Sequence, residues 1–151
     1  MPPGIEEIVR IGTVVSVDEA THRVRVEWND RGNMVSYDLP VLVPSTCDPQ
    51  DYALPKEKTD VLCVFLPNGQ QQGFVVGSFY TEANPPPIAD RKKWLKKFED
   101  GSQIEYDRET KKINIQAAGD VHVVGDVIAD GVSLKKHTHP ESIGSVTGPP
   151  G

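Results

Sequence analysis

Between Gly119 and Leu134 the chain alternates apolar and polar residues with almost no bulk, and that thinness limits what the molecule can be. Val121, Val123, Val127, Val132 and Leu134 supply the apolar side chains, and glycine recurs at 119, 125 and 131. Alternation of this kind is strand sequence, because successive side chains point to opposite faces. Strands so thin bury too little apolar surface to stand alone in water. Three copies wound about a common axis would bury the valines in a narrow prism and turn Asp120, Asp126 and Asp130 outward. The alternation changes phase: Val121, Val123 and Val127 are odd, Val132 and Leu134 even, His137 and His139 odd again. Asp130-Gly131 and Lys135-Lys136 are therefore read as phase-shifting turns or bulges.

His137-Thr138-His139 is the chemical feature of the chain. On a strand, residues two apart point the same way, so both imidazoles are expected on one side. Two histidines are too few for a tight metal site, but threefold symmetry makes six. Six imidazole nitrogens in two layers of three form an octahedral cage. Structural zinc is usually four-coordinate, so this set favours iron(II) or another octahedral first-row metal. Metal binding would then be tied to the closed trimer by mass action. The competing reading is a solvated tail motif. Placement at the end of a thin β-run, with only residues 140–151 beyond it, favours the metal. His22 and His122 are expected on exposed strand faces without a functional role.

The first eighty residues read as a small β-domain. Ile8 to Val17 is rich in β-branched residues, and His22 to Trp28 puts Val24, Val26 and Trp28 on one face and Arg23, Arg25 and Glu27 on the other. Further strands are predicted at Met34 to Asp38, Leu39 to Val43, Val61 to Leu66 and Gly73 to Tyr80, with a weak helix signal in the 45–58 loop. Five or so short strands, counting Met34 to Val43 as one interrupted run, with a long connection between the third and fourth, suit a small Greek-key barrel such as an OB-fold. Asn84-Pro85-Pro86-Pro87 then acts as a stiff spacer. Past it, Gln103 to Tyr106 and Lys112 to Gln116 read as two short strands, with Ile113 and Ile115 on one face. The predicted organisation is a β-barrel domain over 1–83, a Pro-rich linker over 84–97, an intertwined shaft over 98–134 and a tip over 135–151.

Composition removes several functions. A net charge of −6 argues against nucleic-acid binding, which normally rests on a basic surface. Cys47 and Cys63 make no disulfide framework. Met1-Pro2-Pro3-Gly4 has neither the basic start nor the apolar stretch of a signal peptide, which predicts a product made in the cytosol. The carboxylates are scattered, Ser133 and Ser142 sit in no nucleophile elbow, and the glycines open no phosphate-binding helix, so no enzyme activity is expected.

Three segments in order resemble the phage baseplate assembly protein V family, the central spikes of contractile-tailed phages and related bacteriocins. Gly73-Phe-Val-Val-Gly-Ser-Phe-Tyr80 running into Asn84-Pro-Pro-Pro87 is similar to the end of that family's OB-domain. Phe98-Glu-Asp-Gly-Ser-Gln-Ile-Glu-Tyr-Asp107 with Ile113-Asn-Ile115 resembles the start of its shaft, an element shared with type VI secretion spikes. Gly125-Asp-Val-Ile-Ala-Asp-Gly-Val-Ser-Leu134 followed by His137-Thr-His139 resembles the shaft end and iron-binding apex, and Thr147-Gly-Pro-Pro150 also recurs there. The resemblance implies an all-β homotrimer: an OB-fold collar on the tail hub, a triple-stranded β-helix, and one iron per trimer held by His137 and His139 of each chain. Chloride or calcium can also sit on the axis of such spikes. It further implies assembly in the host cytoplasm, residence in the virion at the baseplate tip, and puncture of the host cell envelope. The rival reading is a monomeric OB-fold module binding oligosaccharide or nucleic acid, with a disordered tail.

Overall fold

A computed structural model describes residues 4, 8–67 and 72–138. The chain is all-β: among the described residues the named elements are strands and one 3₁₀ turn, Asn29–Arg31. It divides into two compact units, Met1–Pro86 and Pro87–Gly151.

The first unit contains β1 (Val9–Asp18), β2 (Arg23–Trp28), β3 (Met34–Val35), β4 (Leu39–Pro40), β5 (Asp60–Phe65) and β6 (Gly73–Ser78). Their order is β3-β2-β1-β5-β6, with β4 also on β2, and every ladder is antiparallel. The β1–β2 turn is set by Asp18, whose carboxylate accepts from the Ala20 and Thr21 amides and, at 2.6 Å, from the Thr21 hydroxyl. That is the local bonding that makes aspartate a turn former. The expected alternation along β2 holds: Val24, Val26 and Trp28 are buried and pack with Val14, Leu39, Val61, Cys63 and Val75. Burial pushes the Cys63 thiol up to about 12, so it serves as core packing. Gly12 is required where β1 crosses β2, since a Cβ there would lie 2.5 Å from both the Glu27 carbonyl oxygen and Val26 Cγ1.

After β4, Val41 makes a parallel bridge to Val75 of β6, and the Leu42 amide donates to the Val75 carbonyl at 2.9 Å. The order β1, β2, β4, β6, β5 thus runs round the core, although no continuous ladder closes the sheet.

Several local expectations differ from the structure; the strand expected over Leu39 to Val43 ends at Pro40, with Val41 making only an isolated bridge. The strand over 34–38 stops at Val35, because the Ser36 hydroxyl accepts from the Val26 amide at 2.9 Å in place of a backbone carbonyl. Asp38 then pairs with Arg25 at 2.8 Å, which holds its carboxyl below the usual range. The 45–58 segment forms no helix; Pro49 and Pro55 lack the amide a helix would need, and the Ser45 hydroxyl instead donates to the Cys47 carbonyl at 3.0 Å. His22 is half-buried in the β1–β2 turn and not on an exposed strand. Its φ is 56° and its ring stands edge-on to Tyr52 at 5.1 Å.

In the second unit β7 (Lys93–Lys97), β8 (Gln103–Asp107) and β9 (Lys112–Gln116) form an antiparallel sheet in that order. The charged end of the predicted linker is therefore strand, with Lys93 bonded to Glu105 across the sheet at 3.2 Å. Asp107 shapes the β8–β9 turn by accepting from the Glu109 and Thr110 amides, and Lys111 completes it with φ 58°. Register puts Trp94, Tyr106 and Ile113 in one row and Lys96, Ile104 and Ile115 in the next, all on one face. Ile113 and Ile115 share that face, as their spacing predicts. Further on, β10 (Ile128–Ala129) and β11 (Val132–Ser133) pair as a hairpin. The strand alternation expected from Gly119 onward is not found over 119–127: Val121, Val123 and Val127 lie outside any strand and are exposed.

Candidate metal centre

The turn that carries His137 is built from its own backbone and one carboxylate. Asp130 and Gly131 have φ 49° and 83°, the pair of left-handed conformations that closes a two-residue hairpin. Asp-Gly suits that geometry, and the turn expected at this position is present. It brings Ser133 beside Asp126, whose Oδ2 accepts from the Ser133 hydroxyl while its Oδ1 accepts from the Lys135 amide at 3.1 Å. The same hydroxyl accepts from the Lys136 amide at 2.9 Å, and the Leu134 amide donates to the Val127 carbonyl at 2.8 Å. Lys135-Lys136 is a turn, as read from the phase shift.

His137 follows directly. Its amide donates to the Ser133 carbonyl, and its Nδ1 lies 3.0 Å from the carbonyl oxygens of Ser133 and Leu134. Carbonyl oxygens only accept, so Nδ1 is the donor in these two contacts. A metal-ligating histidine is oriented in this way, its second nitrogen donating to a carbonyl or carboxylate. This orientation is compatible with ligation through His137 Nε2 and does not by itself define a metal site. The strand geometry expected for His137 and Thr138 is not found, because both lie outside any strand. His139 lies outside the described residues, so the shared face of the two rings rests on sequence alone. Among the described residues no three His, Cys, Asp or Glu side chains converge on one point. His122 is exposed and outside any strand.

Asp126 and Ser133 are the positioning residues that spacing did not disclose; Asp126 reads in the sequence as one of three outward carboxylates. The available signal was an acidic residue directly after Gly125, whose φ is 129°. The Ser133 hydroxyl and then the Lys135 amide hold the Asp126 carboxyl below its ordinary value. A lowered carboxyl stabilises the turn fully above the ordinary range of about pH 4, and the contribution is lost as pH falls through the lowered folded value. The Lys135 amide resonance is accordingly expected to titrate with a midpoint below that of an unpaired aspartate, and Asp126→Asn should abolish the step. A midpoint at the ordinary value would contradict this bonding.

No family model matches the chain, and no curated protein matches it.

Proposed function

We propose that three copies of this chain form the central spike of a contractile phage-type tail, attached to the tail hub and driven through a host cell envelope by sheath contraction. The observation that carries the reading is the apolar face of β7–β8–β9. Trp94, Ile113 and Ile115 are 54%, 70% and 63% exposed in one chain, on the same face of this three-stranded sheet, and a large exposed apolar face of this kind marks a contact surface. A threefold assembly covers such faces, and the exposed valines that follow, about its axis. The first unit is the collar in this reading. The meeting of Val41 with β6, between otherwise antiparallel neighbours, favours a partly open Greek-key barrel of the OB type. Together with the three segments similar to the baseplate assembly protein V family, this supports an OB-fold collar, a short triple-stranded β-helix and a metal-bearing apex.

The work in this proposal is mechanical and no reaction is assigned. No helix among the described residues is long and apolar enough to cross a membrane. Lys135 and Lys136 beside the apex would resist spontaneous partition into lipid, where charge is costly. Force from the sheath supplies the entry, and the spike must stay narrow and folded while it is pushed. One iron, ligated by His137 and His139 from each of three chains, would hold the thin end against fraying. The Asp126–Ser133 turn would present the His137 ring in a single orientation. Particle-bound spike at the baseplate tip, after assembly in the host cytoplasm, is the location this reading gives.

Elemental analysis and mass determination on one tag-free sample test it. A trimer with one iron per three chains is expected. His137→Ala should lose the iron while remaining trimeric, because the shaft and collar carry assembly. A metal-free monomeric wild type would instead favour the oligosaccharide- or nucleic-acid-binding OB module.

A further inference from the structure

We infer that the cleft beside Asp60 in the first unit is a recognition site for a guanidinium or alkylammonium group. The cleft has a volume of about 320 Å³ and is lined by Thr59, Asp60, Ser78, Phe79, Tyr80 and Asn84. That is at the lower end of the ~300–1,000 Å³ typical of ligand pockets, room for the end of one side chain or a small amine. The inference rests on the first unit alone and stands whether or not the chain is trimeric.

The carboxylate is built into the wall. Asp60 Oδ1 accepts from the Thr13 hydroxyl at 2.8 Å, and Oδ2 accepts from the Thr81 hydroxyl at 3.3 Å. Thr81 is fixed in turn by Asn84: each backbone amide donates to the other's carbonyl, and the Asn84 amide also reaches the Thr81 hydroxyl at 3.2 Å. The register of β1 on β5 places Thr13 directly opposite Asp60, so the first of these bonds is set by the sheet. Each carboxylate oxygen keeps acceptor capacity beyond the one bond it receives.

Among the described residues no ion pair reaches this carboxylate. It is half-buried, and the pairs join Arg25 to Asp38, Lys92 to Glu109 and Lys93 to Glu105. A partly desolvated carboxylate favours a cation over a neutral ligand. Phe79 and Tyr80 line the same cleft, with Tyr80 65% exposed, and aromatic faces attract guanidinium and ammonium groups. Anionic side chain, aromatic wall and a chain of net charge −6 all select the same sign of ligand.

The test is an NMR titration of the full-length ¹⁵N-labelled protein with N-acetyl-argininamide, its neutral isostere N-acetyl-citrullinamide, and spermidine. The arginine compound is expected to shift the amides of Asp60, Ser78, Phe79 and Tyr80, and to bind at least about ten-fold more tightly than the citrulline compound, as a charge-assisted bond replaces a neutral one. Asp60→Asn should weaken it by a similar factor. Tyr80→Leu, at an exposed position that leaves the carboxylate and its threonines in place, should weaken it several-fold with the spectrum otherwise unchanged. Tighter binding by the arginine compound than by spermidine identifies a protein side chain as the source, and the reverse order identifies a free polyamine; either supports a cation site. Equal binding of the arginine and citrulline compounds, shifts elsewhere on the protein, or unchanged affinity in both variants would overturn it.

Discussion

Trp28→Ala is expected to lower the melting temperature of the first unit by at least about 12 °C. Trp28 is 4% exposed and is the largest side chain in a core otherwise made mostly of valines. Its ring meets Phe65 edge-on at 5.8 Å, and the Arg10 guanidinium lies 5.6 Å from it and 5.2 Å from Phe65. Truncation removes the buried area, leaves a cavity that short neighbouring valines cannot fill, and strips one ring from Arg10. Among the described residues the buried Arg10 Nε has no hydrogen-bond partner. Large aromatic-to-alanine changes in cores cost about 3–5 kcal/mol, a large part of the roughly 5–15 kcal/mol that stabilises a domain. For a unit of this size each kcal/mol shifts the midpoint by about 4–8 °C. Hydrogen exchange resolved by peptide is the measurement, because it separates the units. Faster exchange across β1, β2 and β5 with β7–β9 unchanged is the expected pattern. A change of under about 1 kcal/mol would mean that Trp28 is not the centre of this core.

The same residue shows how much of the fold was legible in the sequence. Strict alternation from Arg23 to Trp28 announces a strand with one buried face, because side-chain direction and strand period are locked together. The Asp-Gly pair at 130–131 announces a tight turn for an equally local reason, its tolerance of left-handed φ. What local pattern could not give is the end of β3, where a Ser36 hydroxyl takes over a ladder bond, since any serine is compatible with either outcome. Nor could it give the strand at Lys93–Lys97. Three lysines in five residues read as a solvated link, but alternation leaves Trp94 on one face while Lys93 reaches Glu105 on the other. The candidate site was legible as residue type and illegible as geometry. His137 is readable from its residue type as a candidate ligand, whereas its ring orientation depends on carbonyls of Ser133 and Leu134 that any residues would carry. The Asp60 cleft was not legible at all. It depends on Thr13 and Thr81, remote in sequence from Asp60 or separated from it by a strand, and only the sheet brings them together.

A double substitution, Ile113→Asp with Ile115→Asp, is expected to convert the proposed trimer to a monomer while leaving the first unit intact. Both side chains are on the exposed face of β9, opposite Tyr106 and Ile104. In an isolated chain they have few contacts to lose, and surface substitutions of that kind stay within about 0.5 kcal/mol. In a threefold assembly that covers this face, each chain would instead bring two carboxylates into an apolar contact, close to their symmetry mates. Leaving an uncompensated charge buried costs about 3–5 kcal/mol per group, and six such groups exceed what an intertwined interface can offset. The two situations therefore predict different results from one protein. Light scattering reads the mass, and exchange across β1, β2 and β5 reads the integrity of the first unit. A variant of one-third the wild-type mass with an unperturbed first unit places the interface on β7–β9. A variant that keeps the wild-type mass would exclude this face from the proposed contact.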